Sequence, residues 1–192
     1  MKSLIKNFSL PLLISFAVII FINYKQQNVM QNKLPTIVKD TIWLTKDSLM
    51  NCNLYDYEYH KWIKLTNGKY EILNFDPENY LVIVTDLKDN FIYVDLNKDG
   101  VKDALGFTYT TYGGSGYFVN MQAFLNENGS AKHVASALLG DRILIDSVII
   151  VQDKINLYLV VQGPNDGMCC PSQKVKWQYI FINNRFLKIN KE

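Results

Sequence analysis

Beyond about residue 40, apolar and polar residues alternate in short runs that are rich in valine, isoleucine and aromatic side chains. Runs of this length and composition, separated by a few turn-forming residues, are typical of antiparallel β-strands. Residues 132–139 are ambiguous, because their alanines and leucines suit a helix while their neighbours suit a strand. The remaining pattern predicts strands at residues 62–66, 69–73, 80–84, 91–94, 105–110, 118–125, 143–151, 155–161, 175–182 and 185–189.

Turn-forming residues link several of these runs directly. Asn67-Gly68 predicts a type I′ turn, and hence a hairpin between residues 62–66 and residues 69–73. Gln152-Asp153-Lys154 and Asn183-Asn184 stand in equivalent places later in the chain. Because short links favour antiparallel neighbours over helical crossovers, the sequence predicts a mainly β fold of meanders and hairpins, arranged as a sandwich or a barrel-like body.

The start of the chain has a different pattern. Lys2 and Lys6 precede an uncharged apolar run at residues 8–22, which is the arrangement of an export segment. No small-x-small cleavage site follows this run. We therefore expect an N-terminal hydrophobic helix within residues 1–25 that acts as a signal anchor. A cleaved signal peptide and a buried helix of a soluble protein are the alternatives.

Residues 26–38 are polar, lack periodicity and read as a linker to a β-rich domain at residues 39–192. Basic residues before an apolar segment tend to stay in the cytoplasm, which places that domain outside the cytoplasmic membrane, anchored or released to the periplasm. That compartment contains calcium and permits disulfides. The net charge of +2 and the scattered lysines and arginines exclude a nucleic-acid-binding surface.

The stretch with the most specific spacing lies at residues 95–103. Oxygen-bearing side chains occupy alternate positions, and Gly100 permits the sharp turn that wrapping around an ion requires. The flanks resemble strands, and Gly106 stands where an EF-hand has glutamate, so the loop is similar to the calcium loops of FG-GAP/VCBS-type repeats. A bare Asx-type turn is the alternative. The predicted Ca²⁺ ligands are Asp95, Asn97, Asp99, the carbonyl of Val101, and Asp103.

The three cysteines leave several possibilities open. Cys169 and Cys170 are adjacent, and outside the cytoplasm free thiols tend to oxidise. They can form a strained bond with each other, or one of them can pair with Cys52. Free buried thiols, or redox or metal chemistry, are further alternatives. Zinc is disfavoured because the usual Cys-x₂₋₄-Cys spacing is missing.

No residue set predicts a catalytic centre. The glycine-rich residues 113–116 lack the Lys-Ser/Thr ending of a phosphate loop, and the glycine that a nucleophile elbow needs after Ser115 is replaced by Tyr117. We interpret them as a flexible or bulged connection. His60 and His133 are expected to be surface or packing residues. Turn residues Asp141, Arg142 and Asp166 are expected to tie loops together through an arginine–carboxylate pair.

Several short motifs occur in an order that resembles a group of exported bacterial proteins common among cyanobacteria. The resemblance covers about residues 54–189 and implies an envelope domain with an acidic turn loop and a Cys-Cys-Pro loop. It implies no activity. The motifs that carry it are residues 65–71, residues 95–104, Gly113-Gly114-Ser115-Gly116, Leu139-Gly140-Asp141-Arg142, and Gly163-Pro164-Asn165-Asp166 followed by Cys169-Cys170-Pro171.

These patterns predict a membrane-tethered, calcium-stabilised and non-enzymatic domain that binds a protein or glycan partner outside the cytoplasmic membrane. One alternative is an envelope enzyme, either a thiol-redox protein that uses Cys169 and Cys170 or a hydrolase that works near Ser115 and Asp166. Another is a packing module of a larger envelope complex.

Overall fold

The computed structural model describes residues 42–78 and 81–191. The predicted export segment, its hydrophobic helix and the linker lie outside these residues. Across the described ranges, no helix has both the length and the apolar content needed to cross a membrane. The elements are helix α1 (Lys46–Met50) and strands β1 (Asn53–Asp56), β2 (Lys61–Lys64), β3 (Lys69–Asn74), β4 (Leu81–Leu87), β5 (Ile92–Val94), β6 (Asp103–Thr111), β7 (Phe118–Glu127), β8 (Ser130–Asp141), β9 (Leu144–Val151), β10 (Lys154–Val161), β11 (Gln173–Ile182) and β12 (Arg185–Lys191).

The strands form three antiparallel sheets. One has six strands, ordered β3-β4-β6-β7-β8 with β5 paired to β6, and another has the order β12-β11-β10-β9. Strands β1 and β2 form a separate two-stranded ribbon. The prediction of a mainly antiparallel β fold is confirmed, and within the described ranges neither large sheet closes on itself. Residues 132–139, which were ambiguous, belong to β8 and pair with β7.

The two faces of the six-stranded sheet bury different partners. On one face, Phe107 and Met121 share a core with Leu157 and Trp177 of the four-stranded sheet. Along β6 the intervening residues point to the opposite face, because successive strand side chains alternate. A second core on that face contains residues of α1, the ribbon, the segments next to them and the sheet, namely Leu44, Leu49, Cys52, Leu54, Ile63, Leu65, Leu87, Ala104 and Phe124.

For the predicted hairpin at Asn67-Gly68, the turn is confirmed but the extended strand pairing is wrong. Both residues have positive φ, +51° and +79°, as a type I′ turn requires. However, the two predicted strands meet only in one antiparallel bridge, between Thr66 and Lys69 beside the turn. Beyond it, β2 pairs with β1, and β3 pairs with β4. The cause is tertiary: Gly68 donates its N–H to the Met50 carbonyl at 2.6 Å and accepts from the Leu87 N–H at 2.7 Å. These bonds dock the turn between α1 and β4 instead of extending the ribbon.

The strand pattern gave no sign of α1. Thr45 is its N-cap, and the Thr45 side chain accepts a hydrogen bond from the Ser48 N–H at 3.1 Å. Asp47 lies in the first turn, where a negative charge is favourable. A five-residue helix is too short to show a periodicity, so only the cap residue signalled it.

Candidate functional site

The acidic loop connects β5 to β6 and is held by hydrogen bonds from its own backbone. Asp95 accepts from the N–H groups of Lys98 at 2.7 Å, Asp99 at 3.2 Å and Gly100 at 3.0 Å. Asp99 accepts from the Val101 N–H at 2.8 Å and from the Asn97 side-chain amide at 2.9 Å. The loop therefore has the hydrogen bonds of the Asx-turn alternative.

Asp103 differs from the other predicted ligands because it is completely buried. Its two carboxylate oxygens accept from the backbone N–H groups of Leu96 and Asn126, both at 2.9 Å. Burial raises the pKa of Asp103, while these amide hydrogen bonds oppose the change. Asp103 thus fastens the base of the acidic loop to the β7–β8 end of the sheet.

The remaining predicted ligands leave acceptors for a cation. Each carboxylate oxygen has two lone pairs, so the backbone hydrogen bonds of Asp95 and Asp99 do not exhaust their capacity. In the part of the chain described, no three acidic, histidine or cysteine side chains are grouped as a metal site. A calcium ion on this loop would therefore depend on the Asn97 amide, on the Val101 carbonyl and on water as well as on Asp95 and Asp99. Calcium binding here stays a prediction.

The cysteine loop lies between β10 and β11. Cys169 and Cys170 are exposed and form a disulfide with each other, so the vicinal alternative is the one the structure has. Asp166 closes the base of the loop by accepting from the N–H groups of Gly163 and Ser172 and from the Ser172 hydroxyl, each at 2.7 Å. These bonds, led by that of the Ser172 hydroxyl, lower the pKa of Asp166.

Cys52 takes no part in a disulfide, so the pairing of Cys52 with Cys169 or Cys170 is wrong. It is a free, buried thiol in the core beside α1. Burial raises its pKa to about 11, which keeps the thiol protonated and unreactive.

The glycine-rich residues connect β6 to β7 as a series of bends, as expected. Arg142 pairs with the neighbouring Asp141 and donates from Nη2 to the Ser115 hydroxyl at 3.2 Å. The Arg142 N–H also donates to the Tyr117 carbonyl at 2.9 Å. Arg142 thus ties the glycine-rich loop to the end of β8, while Asp166 is occupied in its own loop.

His133 belongs to a buried network on the face of the sheet that meets the ribbon. Its Nδ1 accepts from the Tyr55 N–H at 3.3 Å, so Nε2 carries the proton and donates to the Gln122 carbonyl oxygen at 2.9 Å. Gln122 in turn donates to the Thr108 hydroxyl at 2.8 Å. Burial lowers the pKa of His133 to about 4. His133 is therefore neutral and structural, as expected.

Ser136 lies 3.3 Å from Nε2 of the same histidine, which superficially resembles a nucleophile and its base. The resemblance fails chemically. A histidine that accepts at Nδ1 presents N–H at Nε2 and cannot remove the serine proton. Ser136 instead donates its hydroxyl to the Gln122 carbonyl oxygen.

A cavity of about 210 Å³ lies between β1, with the turn that follows it, and the six-stranded sheet. Hydroxyl and amide side chains of β4, β6, β7 and β8 form its inner wall, and tyrosines contribute to its outer wall and rim. The part of the cavity wall that the described residues form contains no lysine, arginine or histidine. The lining consists of Leu54, Tyr55, Asp56, Tyr57, Glu58, Thr85, Thr108, Thr110, Tyr112, Phe118, Asn120, Gln122, Ser136 and Leu138.

Asp56 is the most unusual member of this wall, because a carboxylate is seldom buried. Only 6% of its surface is exposed. Its Oδ1 accepts from the N–H groups of Glu58 at 2.9 Å and Tyr59 at 3.1 Å, and from the Tyr112 hydroxyl at 3.4 Å. Burial, followed by the charges of Asp56 and Glu58, raises the pKa of Tyr112. The Tyr112 hydroxyl therefore stays protonated and available as a donor.

No protein-family model, no curated protein and no solved structure matches this chain.

Sequence reasoning missed the cavity. Its wall combines residues from position 54 to position 138, and only strand pairing and the docking of the ribbon bring them together. One signal was available, namely the run Tyr55-Asp56-Tyr57-Glu58-Tyr59, in which aromatic and acidic residues alternate. Alternating residues in an extended segment divide between its two faces, so the run could have indicated an aromatic surface beside an acidic one.

Proposed function

We propose that this chain is a membrane-tethered, non-enzymatic binding domain that faces the outside of the cytoplasmic membrane and holds a small polar ligand in the cavity beneath the ribbon. The observation that carries the proposal is the cavity itself. It combines a concave shape, aromatic walls and a few convergent polar groups, which is the usual composition of a small-molecule site.

The aromatic rings at the cavity mouth support a binding role. Tyr112 lies between Tyr59 and Phe118, with ring centroids 5.4 Å and 5.9 Å away. The Tyr55 ring contacts the Tyr57 ring edge-on at 4.8 Å. Tyr57, Tyr59 and Phe118 are all exposed although they are large and partly apolar. An exposed aromatic cluster around a cavity is characteristic of an interaction site.

Contacts among its own polar side chains hold the inner wall of the cavity in position. Gln122 is fixed by His133 on one side and Thr108 on the other, and the Thr85 and Thr110 hydroxyls lie 3.1 Å apart. These contacts fix the wall before a ligand arrives, so binding loses little side-chain freedom. The same rigidity, with a histidine that cannot accept a proton from Ser136, favours binding over hydrolysis.

Calcium on the acidic loop is part of the proposal as a stabiliser. The alternating oxygens of Asp95, Asn97 and Asp99 and the turn at Gly100 support it. The export-type N-terminal pattern and the exposed Cys169–Cys170 disulfide support a location outside the cytoplasm.

The binding role can be tested by thermal unfolding of the 192-residue chain in a non-ionic detergent, with panels of methyl glycosides, small amines and small carboxylic acids. At least one class should raise Tm, since a ligand at a hundred times its Kd adds about 2.7 kcal/mol to the free energy of unfolding. Tyr57→Ala should remove the rise, because it deletes an exposed cavity wall. Tyr93→Ala, an exposed tyrosine on β5, is the matched control. A panel that never moves Tm would refute the binding role.

A second candidate function is thiol–disulfide exchange, favoured by the exposed position of the Cys169–Cys170 disulfide. Adjacent cysteines close a small ring, and strained or exposed disulfides are the ones that are easily reduced. After equilibration in glutathione buffers of graded potential, the exchange should be quenched with acid and the glutathione removed before protein thiols are counted with Ellman's reagent. A redox role predicts a two-electron transition within that range. A disulfide that remains fully oxidised throughout would exclude it, and buried Cys52 serves as the internal unreactive thiol.

A further inference from the structure

The cavity beneath the ribbon carries negative charge without a positive partner. Asp56 and Glu58 both line it, and none of the described residues that line it is basic. Among the described residues, the five ion pairs of the chain involve neither of these two acids. A buried carboxylate normally has a paired charge, because removing it from water is costly.

One oxygen of Asp56 is committed and the other is available. The backbone N–H groups of Glu58 and Tyr59 fix Oδ1 and so fix the orientation of the carboxylate. Within the described ranges, no hydrogen-bond donor reaches Oδ2. This arrangement holds a negative charge rigidly in a cavity wall, and such a charge attracts a cation more strongly in a partly desolvated site than in water.

The lysine opposite Asp56 in the ribbon is engaged elsewhere. Lys61 stands opposite Asp56 in the pairing of β1 with β2. Its ammonium group nevertheless lies over the rings of Tyr59 and Tyr70, with centroids 5.4 Å and 5.6 Å away. The rings at this end of the ribbon therefore already show the chemistry that attracts a cation to an aromatic face.

Resting on the proposed binding role, we propose that the ligand of this cavity is a small organic cation, whose ammonium group lies against the Asp56 carboxylate between the aromatic rings of the wall. The neutral amide of Asn120 and the hydroxyl groups of the inner wall suit a polar substituent on the same molecule. The two carboxylates disfavour phosphates, sulfates and carboxylic acids, because like charges repel in a partly desolvated site.

Choline and its neutral isostere 3,3-dimethylbutan-1-ol provide the direct test, since they differ essentially in charge. Both should be titrated calorimetrically into the 192-residue chain in a non-ionic detergent. We expect choline to bind about tenfold or more tightly than the isostere, because only choline gains the coulombic attraction of Asp56 and the cation–π contacts. This comparison uses the unaltered chain, so it does not depend on the folding of any variant.

Asp56→Asn should lower the choline affinity about tenfold or more, while keeping an acceptor oxygen for the Glu58 and Tyr59 amides. Asp76→Asn is the matched control, because Asp76 accepts from the Glu78 N–H at 2.8 Å in the same kind of turn but does not line the cavity. Tm of each variant shows whether it is folded.

The possible failures are distinguishable. Equal binding of choline and its isostere would overturn the cation inference and leave a small-molecule site in place. Binding of methyl glucoside without choline would do the same, provided that Tyr57→Ala abolishes it. If choline does not bind, the cation inference is refuted. If none of the methyl glycosides, small amines or small carboxylic acids binds either, the proposed binding function is refuted as well.

Discussion

The wholly buried carboxylate of Asp103 accepts a hydrogen bond from the Leu96 backbone N–H at 2.9 Å. Its other oxygen accepts from the Asn126 N–H at the same distance. Two segments that are distant in sequence, the acidic loop and the end of β7, therefore depend on one side chain.

Replacing Asp103 should destabilise the domain severely. Asp103→Ala leaves two buried amides without an acceptor, and we expect a loss of about 2–4 kcal/mol in the free energy of unfolding. Urea unfolding followed by tryptophan fluorescence measures this loss. Asp153→Ala is the control, because its ion pair with Lys98 is exposed and should contribute less than about 1 kcal/mol. Similar losses in the two variants would show that Asp103 does not fasten the loop.

Calcium should stabilise the domain through the acidic loop. Adding millimolar Ca²⁺ after treatment with a chelator should raise Tm, because an ion that binds only the folded state shifts the unfolding equilibrium. Asp99→Ala should abolish the rise, and Asp146→Ala, at an exposed position of β9 on the other sheet, should preserve it. If Tm is the same with chelator, with Ca²⁺ and in both variants, the loop is a bare turn.

The buried histidine should make stability depend on pH. The pKa of His133 is about 4 in the folded domain and about 6.5 in the unfolded chain, so the unfolded state binds more protons between these values. Stability from this group is complete above pH 6.5 and falls as the pH is lowered, by roughly 3 kcal/mol near pH 4. Asp103 acts in the opposite direction, because its raised pKa favours the protonated folded state in acid.

Unfolding in urea at a series of pH values between 7 and 4 measures this dependence. The variant His133→Gln should be less stable at pH 7, because it cannot reproduce both ring hydrogen bonds, but its stability should change less on acidification. Parallel pH profiles for the variant and the unaltered chain would mean that His133 does not titrate with a lowered pKa.

Gly68 should tolerate no side chain. Its φ is +79°, and a Cβ would lie 2.3 Å from the Met50 methyl carbon and 2.8 Å from the Leu87 carbonyl oxygen. Backbone strain and overpacking together predict a loss of about 2–4 kcal/mol for Gly68→Ala. Gly114→Ala is the control, since no atom of the described residues lies within 4 Å of its Cβ position and its φ is not positive. Equal unfolding midpoints for the two variants would contradict the docking of this turn.

Much of the strand pattern was predictable, because alternation along a strand is a local property. Residues 143–151 and 155–161 were predicted as a hairpin, and β9 and β10 are that hairpin. The turn at Asn183-Asn184 also has positive φ at both residues, as a tight link between β11 and β12 requires. Turn chemistry and side-chain alternation act over a few residues, so they can be read without the rest of the molecule.

Pairing choices and the candidate site were decided by the tertiary structure. The residues next to Asn67-Gly68 do not indicate that β2 pairs with β1, since the hydrogen bonds that dock this turn come from Met50 and Leu87. The cysteine pairing was also decided by the tertiary structure. The sequence left open a bond between Cys169 and Cys170 and a bond from Cys52 to either of them, and in the structure Cys52 is a free thiol in the core.

The sequence by itself determined a mainly antiparallel β domain with tight turns and an acidic loop, because these features follow from local backbone preferences. Only the tertiary structure set Asp56 in a cavity wall opposite Gln122 and Ser136, and buried Asp103 under the acidic loop. The physical reason is that burial and charge pairing depend on which distant segments exclude water together, and that information is not contained in any single stretch of the chain.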